Sequence, residues 1–209
     1  MLVIRTNHDT QTNYLYAYTK PIIELAEKKG IKVTIIENEE ISENNLRKRI
    51  KSQKPKIIFF NGHGTEEAIY DSHDKPFIDT KSSDVFKDTI TFARACDCIN
   101  LLGKKAVDKG CITFIGYKNK FFVSKLNNAA CKPEKDRIAK PVLECSNIIM
   151  EELIKGKVVA ESVNKSHEFA AEQILKLIYS NDPWFSATLR ALIYNDKGLH
   201  FEGDGDAKL

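Results

Sequence analysis

No apolar run in this 209-residue chain approaches the length that crosses a bilayer, so no membrane partner is expected. Charge of one sign is also lacking. The chain has 32 Lys and Arg against 29 Asp and Glu, and the resulting net charge of +3 is too small for a dedicated nucleic-acid binder. Neither a Gly-x-x-x-x-Gly-Lys nor a Gly-x-Gly-x-x-Gly loop occurs, which disfavours a phosphate-cradling nucleotide enzyme. There is no internal repeat, low-complexity tract or interdomain linker. The opening apolar run, Met1 to Ile4, is too short for a signal peptide. Five cysteines are an odd set and do not read as a disulfide framework. These absences lead to the expectation of a cytoplasmic protein with free thiols.

Hydrophobic residues make up 42% and charged residues 29%, an ordinary globular composition. A chain of this length buries roughly 70% of its unfolded surface in one core, so a single domain over 1–209 is expected. Short runs rich in Val, Ile and Phe recur at Leu2 to Ile4, Val33 to Ile36, Ile57 to Phe60, Ile90 to Phe92 and Ile112 to Ile115. They lack alternation, as strands covered on both faces do. Helical segments are expected between them at Pro21 to Lys29, Glu43 to Gln53 and Asn100 to Lys109. Alternation of strand and helix predicts α/β architecture: a three-layer α/β/α sandwich around a mostly parallel sheet of about six strands. The segments around Ala68 and Asp79 predict an inserted hairpin. Lys118 to Lys135 reads as a long surface loop, and Pro141 to Ile154 and His167 to Tyr179 as amphipathic helices. Leu189 to Tyr194, a turn at Asn195 to Gly198, and Leu199 to Glu202 predict a closing hairpin whose last strand joins the sheet. That strand leaves a homodimer open.

In open α/β sheets ligands bind beyond the carboxyl ends of the strands. Two strands here end in reactive side chains, one running into Asn61-Gly62-His63-Gly64 and the other into Ala95-Cys96. Parallel strands place His63 and Cys96 at one edge. A thiol nucleophile needs such an arrangement: an imidazole to move protons and backbone N–H groups to hold an oxyanion. The plainer alternative makes His63 a turn residue and Cys96 a strand-end core thiol.

These two blocks, separated by the hairpin, resemble the caspase-like cysteine peptidases (clan CD), which include caspases, metacaspases, gingipains, separases and CHAT domains. Only the His-Gly and Ala-Cys blocks are specific, although the order of elements is similar over most of the chain. The resemblance implies a cysteine endopeptidase acting on protein or peptide substrates, with Cys96 as nucleophile and His63 as general acid and base. It also implies an oxyanion donor at the N–H of Gly64, aided by that of Cys96. No cofactor is expected, although some metacaspases use calcium. A catalytically silent interaction module on the same fold is the competing reading.

In caspases the residue two before the nucleophile helps line the pocket for the P1 side chain, and here it is Arg94. A guanidinium in that pocket implies cleavage after Asp or Glu. The alternative is that Arg94 points to the other face of the sheet or pairs with Asp97. Arg94, Asp97 and Glu66 are the candidate substrate-binding residues. Cys96-Asp97-Cys98 with Cys111 lacks the spacing of a zinc site, so no metal is expected there. Cys98 is expected in the core, with Cys111, Cys131 and Cys145 incidental. The basic run Arg47 to Lys56 lacks interleaved aromatics and reads as a solvated helix face rather than a nucleic-acid surface. His8, Asp9 and Asn13 follow the first strand at the same edge, where they shape the site or cap a helix. His73 reads as an exposed hairpin tip, and Trp184 as a core anchor that borders the cleft if its loop reaches that far.

Overall fold

The β-branched and aromatic runs become strands in the computed structural model, which describes residues 1–126, 129–180 and 185–209. Six strands form one sheet in the order β2 (Thr34–Glu37), β1 (Leu2–Arg5), β3 (Ile57–Asn61), β6 (Ile90–Arg94), β7 (Thr113–Tyr117) and β8 (Leu199–Gly203). The first five are parallel, and β8 closes the edge antiparallel to β7. The hairpin of β4 (Ala68–Tyr70) and β5 (Pro76–Asp79) stands apart as its own two-stranded ribbon. The expected three-layer, mostly parallel α/β sandwich is the observed one.

Strand alternation divides the core in two. Ile57, Phe59, Ile90, Phe92 and Ile115 face one layer, made by α1 (Thr10–Lys28), α4 (Lys140–Ile154), α5 (Val159–Ile178) and α6 (Phe185–Gly198). Ile58, Phe60, Ala93 and Phe114 face the other, with α2 (Glu43–Gln53), α3 (Lys104–Asp108) and the hairpin residues Ile69, Phe77 and Ile78. Phe59 and Phe92 stack across the β3–β6 pair with centroids 5.2 Å apart. Burying each such ring contributes roughly 1.5–3 kcal/mol.

Five expectations change. The helix expected from His167 starts about two turns earlier, at Val159. The first helix starts at Thr10, not Pro21, because Asp9 caps it with a capping box; Pro21 lies inside it. The third is a π-helical turn, Ile99–Gly103, running into the short α3. Leu189 to Tyr194 is not a strand: it belongs to α6, whose buried Thr188, Ala191, Leu192 and Asn195 follow a helical repeat. Only β8 of the predicted closing hairpin forms. The Lys-rich connection after β7 is partly internal, because Phe121 is buried and the buried carboxylate of Asp136 anchors its far end. That carboxylate accepts hydrogen bonds from the hydroxyl of Tyr14 (2.6 Å) and from the N–H groups of Leu126 and Ile138. Trp184 and the residues Asn181, Asp182 and Pro183 before it lie outside the described residues.

Candidate active site

Register places the two reactive blocks together. Asn61 at the end of β3 pairs with Arg94 at the end of β6. Two residues beyond each, at equivalent heights on the carboxyl edge, stand His63 and Cys96. Gly62 prolongs the pairing through its N–H to the carbonyl of Arg94, 3.4 Å. A Cβ on Gly62 would lie 2.8 Å from a ring carbon of Phe60. One on Gly64 would lie 2.9 Å from Cβ of Ala95 and 3.2 Å from the carbonyl oxygen of Cys96. Neither glycine has positive φ, so close approach, not turn conformation, accounts for both. Gly64 lets the histidine turn lie directly against the cysteine turn.

The cysteine turn is sharp. Asp97 adopts the left-handed region (φ 55°), which Asp tolerates better than most residues, and its N–H donates to the carbonyl of Asn119. The segment after β7 then wraps the thiol, with the N–H of Phe121 donating to Sγ of Cys96 at 3.3 Å. Burial pushes the Cys96 thiol above its ordinary pKa. The Phe121 N–H acts against this, Asp97 adds to it, and Lys120 opposes it. The sulfur is therefore a resting thiol that needs a base to become nucleophilic. Gly64 forms a bridge to Ile69, flanked by Tyr70 N–H to the His63 carbonyl and Thr65 N–H to the Ala68 carbonyl. In such a pair the residue's own N–H points away from its partner strand. Among the described residues, the N–H groups of Gly64 and Cys96 have no acceptor.

His63 is oriented from the β1–α1 turn. Nε2 lies 2.6 Å from Oδ2 of Asp9, and the two side chains are 28% and 41% exposed. The other Asp9 oxygen accepts from the N–H of Thr12 at 2.7 Å and so caps α1. One carboxylate thus performs both roles weighed for it, capping and site shaping. Burial alone raises its pKa, but the Thr12 N–H, His63 and the Thr12 hydroxyl together lower it to about 2. His8 meets His63 edge to face with centroids 5.4 Å apart, and its Nε2 lies 3.1 Å from Oδ1 of Asp74 on the hairpin tip. Among the described residues, one metal-ligating group converges: donor atoms of His8, His63 and Asp74 all lie within 4.8 Å of one another. None of the cysteines belongs to it, although all five are free.

Arg94 requires a correction. It shares the Ile90 and Phe92 face, is 0% exposed, and points away from the cleft into the α1/α4 layer. Nε donates to Oδ1 of Asn61 (2.7 Å), Nη1 to Oδ1 of Asn147 (2.8 Å), and Nη2 to the carbonyl of Leu15 (3.1 Å) and Oγ1 of Thr19 (3.3 Å). It makes no pair with Asp97. Burial lowers its pKa to about 10, with no carboxylate to compensate. A side chain so enclosed cannot meet a substrate, and the argument for cleavage after Asp or Glu loses its basis. Glu66 is exposed at the start of the hairpin, and its carbonyl accepts from the N–H of Leu102. Asp97 is half-buried beside the thiol.

Sequence reading missed Phe122. It follows the residue that touches Sγ, turns outward, and lies 4.9 Å from the ring of Tyr194. Both line a cavity of about 400 Å³, shared with Val123, Ala187, Arg190 and Ala191. Away from the site, Cys98 is buried as expected and Arg47 is bonded to Glu43 and Asp84 within the molecule. His73 pairs with Glu39 at 2.7 Å. No helix among the described residues is long and apolar enough to cross a membrane.

No family model and no curated protein matches the chain. Solved structures do. The Arg-specific cysteine proteinase gingipain R superposes with a TM-score of 0.65 at 12% identity, over 100% of this chain and 46% of that one. A complex of the Porphyromonas gingivalis gingipain pro- and mature domains gives 0.62 at 12% identity, over 100% of this chain and 48% of that one. The chain thus spans a little under half the length of these neighbours, and the likeness is one of fold. The protein carries the caspase-like α/β/α fold of gingipain R.

Proposed function

We propose that the protein is a cysteine peptidase in which Cys96 attacks the scissile carbonyl and His63 moves the protons. The supporting observation is the register Asn61↔Arg94, which sets His63 and Cys96 at matching positions on one open edge. With Asp9 ionised and accepting from Nε2–H, Nδ1 of His63 carries the free lone pair. Nδ1 takes the thiol proton as sulfur bonds to the carbonyl carbon. The oxygen, now an anion, meets the N–H groups of Gly64 and Cys96. Imidazolium then protonates the leaving amine, leaving a thioester. Water activated by the same nitrogen hydrolyses it and restores the thiol.

The cavity beside Phe122 and Tyr194 suits an apolar side chain of a peptide substrate, since its lining is mostly hydrocarbon. A thiol-directed electrophile joined to a peptide with a random side chain at each position tests both parts. Labelling should fall on Cys96, vanish in Cys96→Ala and slow strongly in His63→Ala. Labelling indifferent to His63 would support the silent interaction module instead.

A further inference from the structure

We propose that His8, His63 and Asp74 form a site for a divalent transition-metal ion such as Zn²⁺, and that its occupancy removes His63 as a base. Two imidazoles and one carboxylate are ligands of the type and number that hold Zn²⁺ with a fourth position open. Bonds of about 2.0–2.1 Å in a tetrahedron separate neighbouring donors by roughly 3.3 Å. Nε2 of His8 and Oδ1 of Asp74 already lie 3.1 Å apart, and all three residues have donors within 4.8 Å of one another. The remaining contraction lies between His63 and the other two ligands, and the side chains of Asp74 and His63 are 67% and 28% exposed.

A second observation supports the site. Nδ1 of His8 is buried and has no hydrogen-bond partner among the described residues. An unpaired buried ring nitrogen costs about 1–3 kcal/mol. Coordination through Nδ1, reached by rotation of the His8 ring, gives that nitrogen its partner, whereas coordination through Nε2 leaves an Nδ1–H unpaired. The three ligands come from separate elements: the β1–α1 turn, the β3–β4 turn and the β4–β5 tip. An ion there ties the hairpin to the sheet edge. Asp9 is the competing partner of His63, at 2.6 Å. Coordination through Nε2 breaks that pair. Coordination through Nδ1 occupies the lone pair assigned above to proton transfer. In both cases His63 is lost as a base, so the ion acts as a reversible brake. Only this consequence rests on the peptidase reading; the site itself does not.

The deciding measurement is calorimetric titration of the whole chain with Zn²⁺, paralleled by visible absorption with Co²⁺. One equivalent should bind to the wild type and to Cys96→Ala alike, with ligand-field bands and no thiolate-to-metal charge transfer. Affinity should fall at least tenfold in His8→Ala and in Asp74→Ala, while circular dichroism of both remains that of the wild type. No binding by the wild type, equal binding by the two variants, or loss of binding in Cys96→Ala overturns the proposal. A peptide-cleavage assay then reads the consequence separately. Zn²⁺ should suppress the wild type and spare Asp74→Ala, each relative to its own metal-free rate. If the protein cleaves nothing, the peptidase reading fails and the titration still decides the site.

Discussion

Two pairs of residues, one at the ends of β3 and β6 and one two residues beyond, have opposite fates. Asn61 and Arg94 end β3 and β6 and are completely enclosed, bonded to each other, and Arg94 is bonded also to the helical layer. His63 and Cys96, two residues on, stand at the open edge among loops from β1, β7 and the hairpin. The difference teaches how this fold separates stability from chemistry. The inner pair holds β3, β6, α1 and α4 in fixed relation through Asn147, Leu15 and Thr19. The outer pair stands on that frame, held by Asp9 and by the N–H of Phe121, and stays partly exposed. A cation facing four neutral acceptors is costly to bury, yet removing it strands the amide oxygens of Asn61 and Asn147.

The comparison can be broken from either side. His63→Ala should lower peptide cleavage by about 10²–10⁴-fold, the usual contribution of a general acid–base group, while denaturant stability stays within about 0.5 kcal/mol. A loss of both together would mean that the outer pair is structural. Arg94→Ala should do the reverse. It leaves the amide oxygens of Asn61 and Asn147 without their donor, and the urea midpoint should drop by the equivalent of about 3 kcal/mol or more. Arg94→Met restores volume and should recover part of that loss. If acidic-P1 peptides discriminate Arg94→Met from wild type while its stability is unchanged, the enclosed placement of Arg94 is wrong.

Gly64→Ala sharpens the contrast. Its Cβ meets Ala95 at 2.9 Å, so the two turns must move apart, and kcat should fall about tenfold or more with a smaller change in melting temperature. The smallest effect belongs to Asp9→Asn, which retains the α1 cap but loses the charge beside His63. Cleavage should decline modestly, with its pH profile displaced. The folded-state pKa of Asp9, about 2, lies below the ordinary 3.8. Its stabilising contribution is therefore complete above about pH 4 and is lost as pH falls through 2. The stability difference between wild type and Asp9→Asn should narrow across that acid window. A difference that stays constant from pH 5 to pH 2 would refute the ion-pair account.

Much of the fold was legible because parallel strands buried on both faces announce themselves as unbroken Val, Ile and Phe runs. The inserted hairpin and both blocks, Asn61-Gly62-His63-Gly64 and Ala95-Cys96, were readable for the same reason. Leu189 to Tyr194 misled because a short apolar run has no period that separates strand from helix. Pro21 suggested a helix start, but the capping box at Asp9 and Thr12 had already set one. The site was half legible. The contacts of Cys96 with Phe121, of His63 with Asp9, and of His8 with Asp74 join residues that no spacing relates.

The sequence by itself determined the strand cores, the parallel α/β class and the two residue types at the strand ends, because these follow from local pattern and elementary side-chain chemistry. Only the tertiary structure decided which face Arg94 occupies, which carboxylate holds His63, and what surrounds the thiol. A strand pattern says that alternate residues face opposite layers. It does not say which layer is sealed by helices and which end is left open. That assignment arises when α1 and α4 close over Arg94 and the segment after β7 folds back on Cys96.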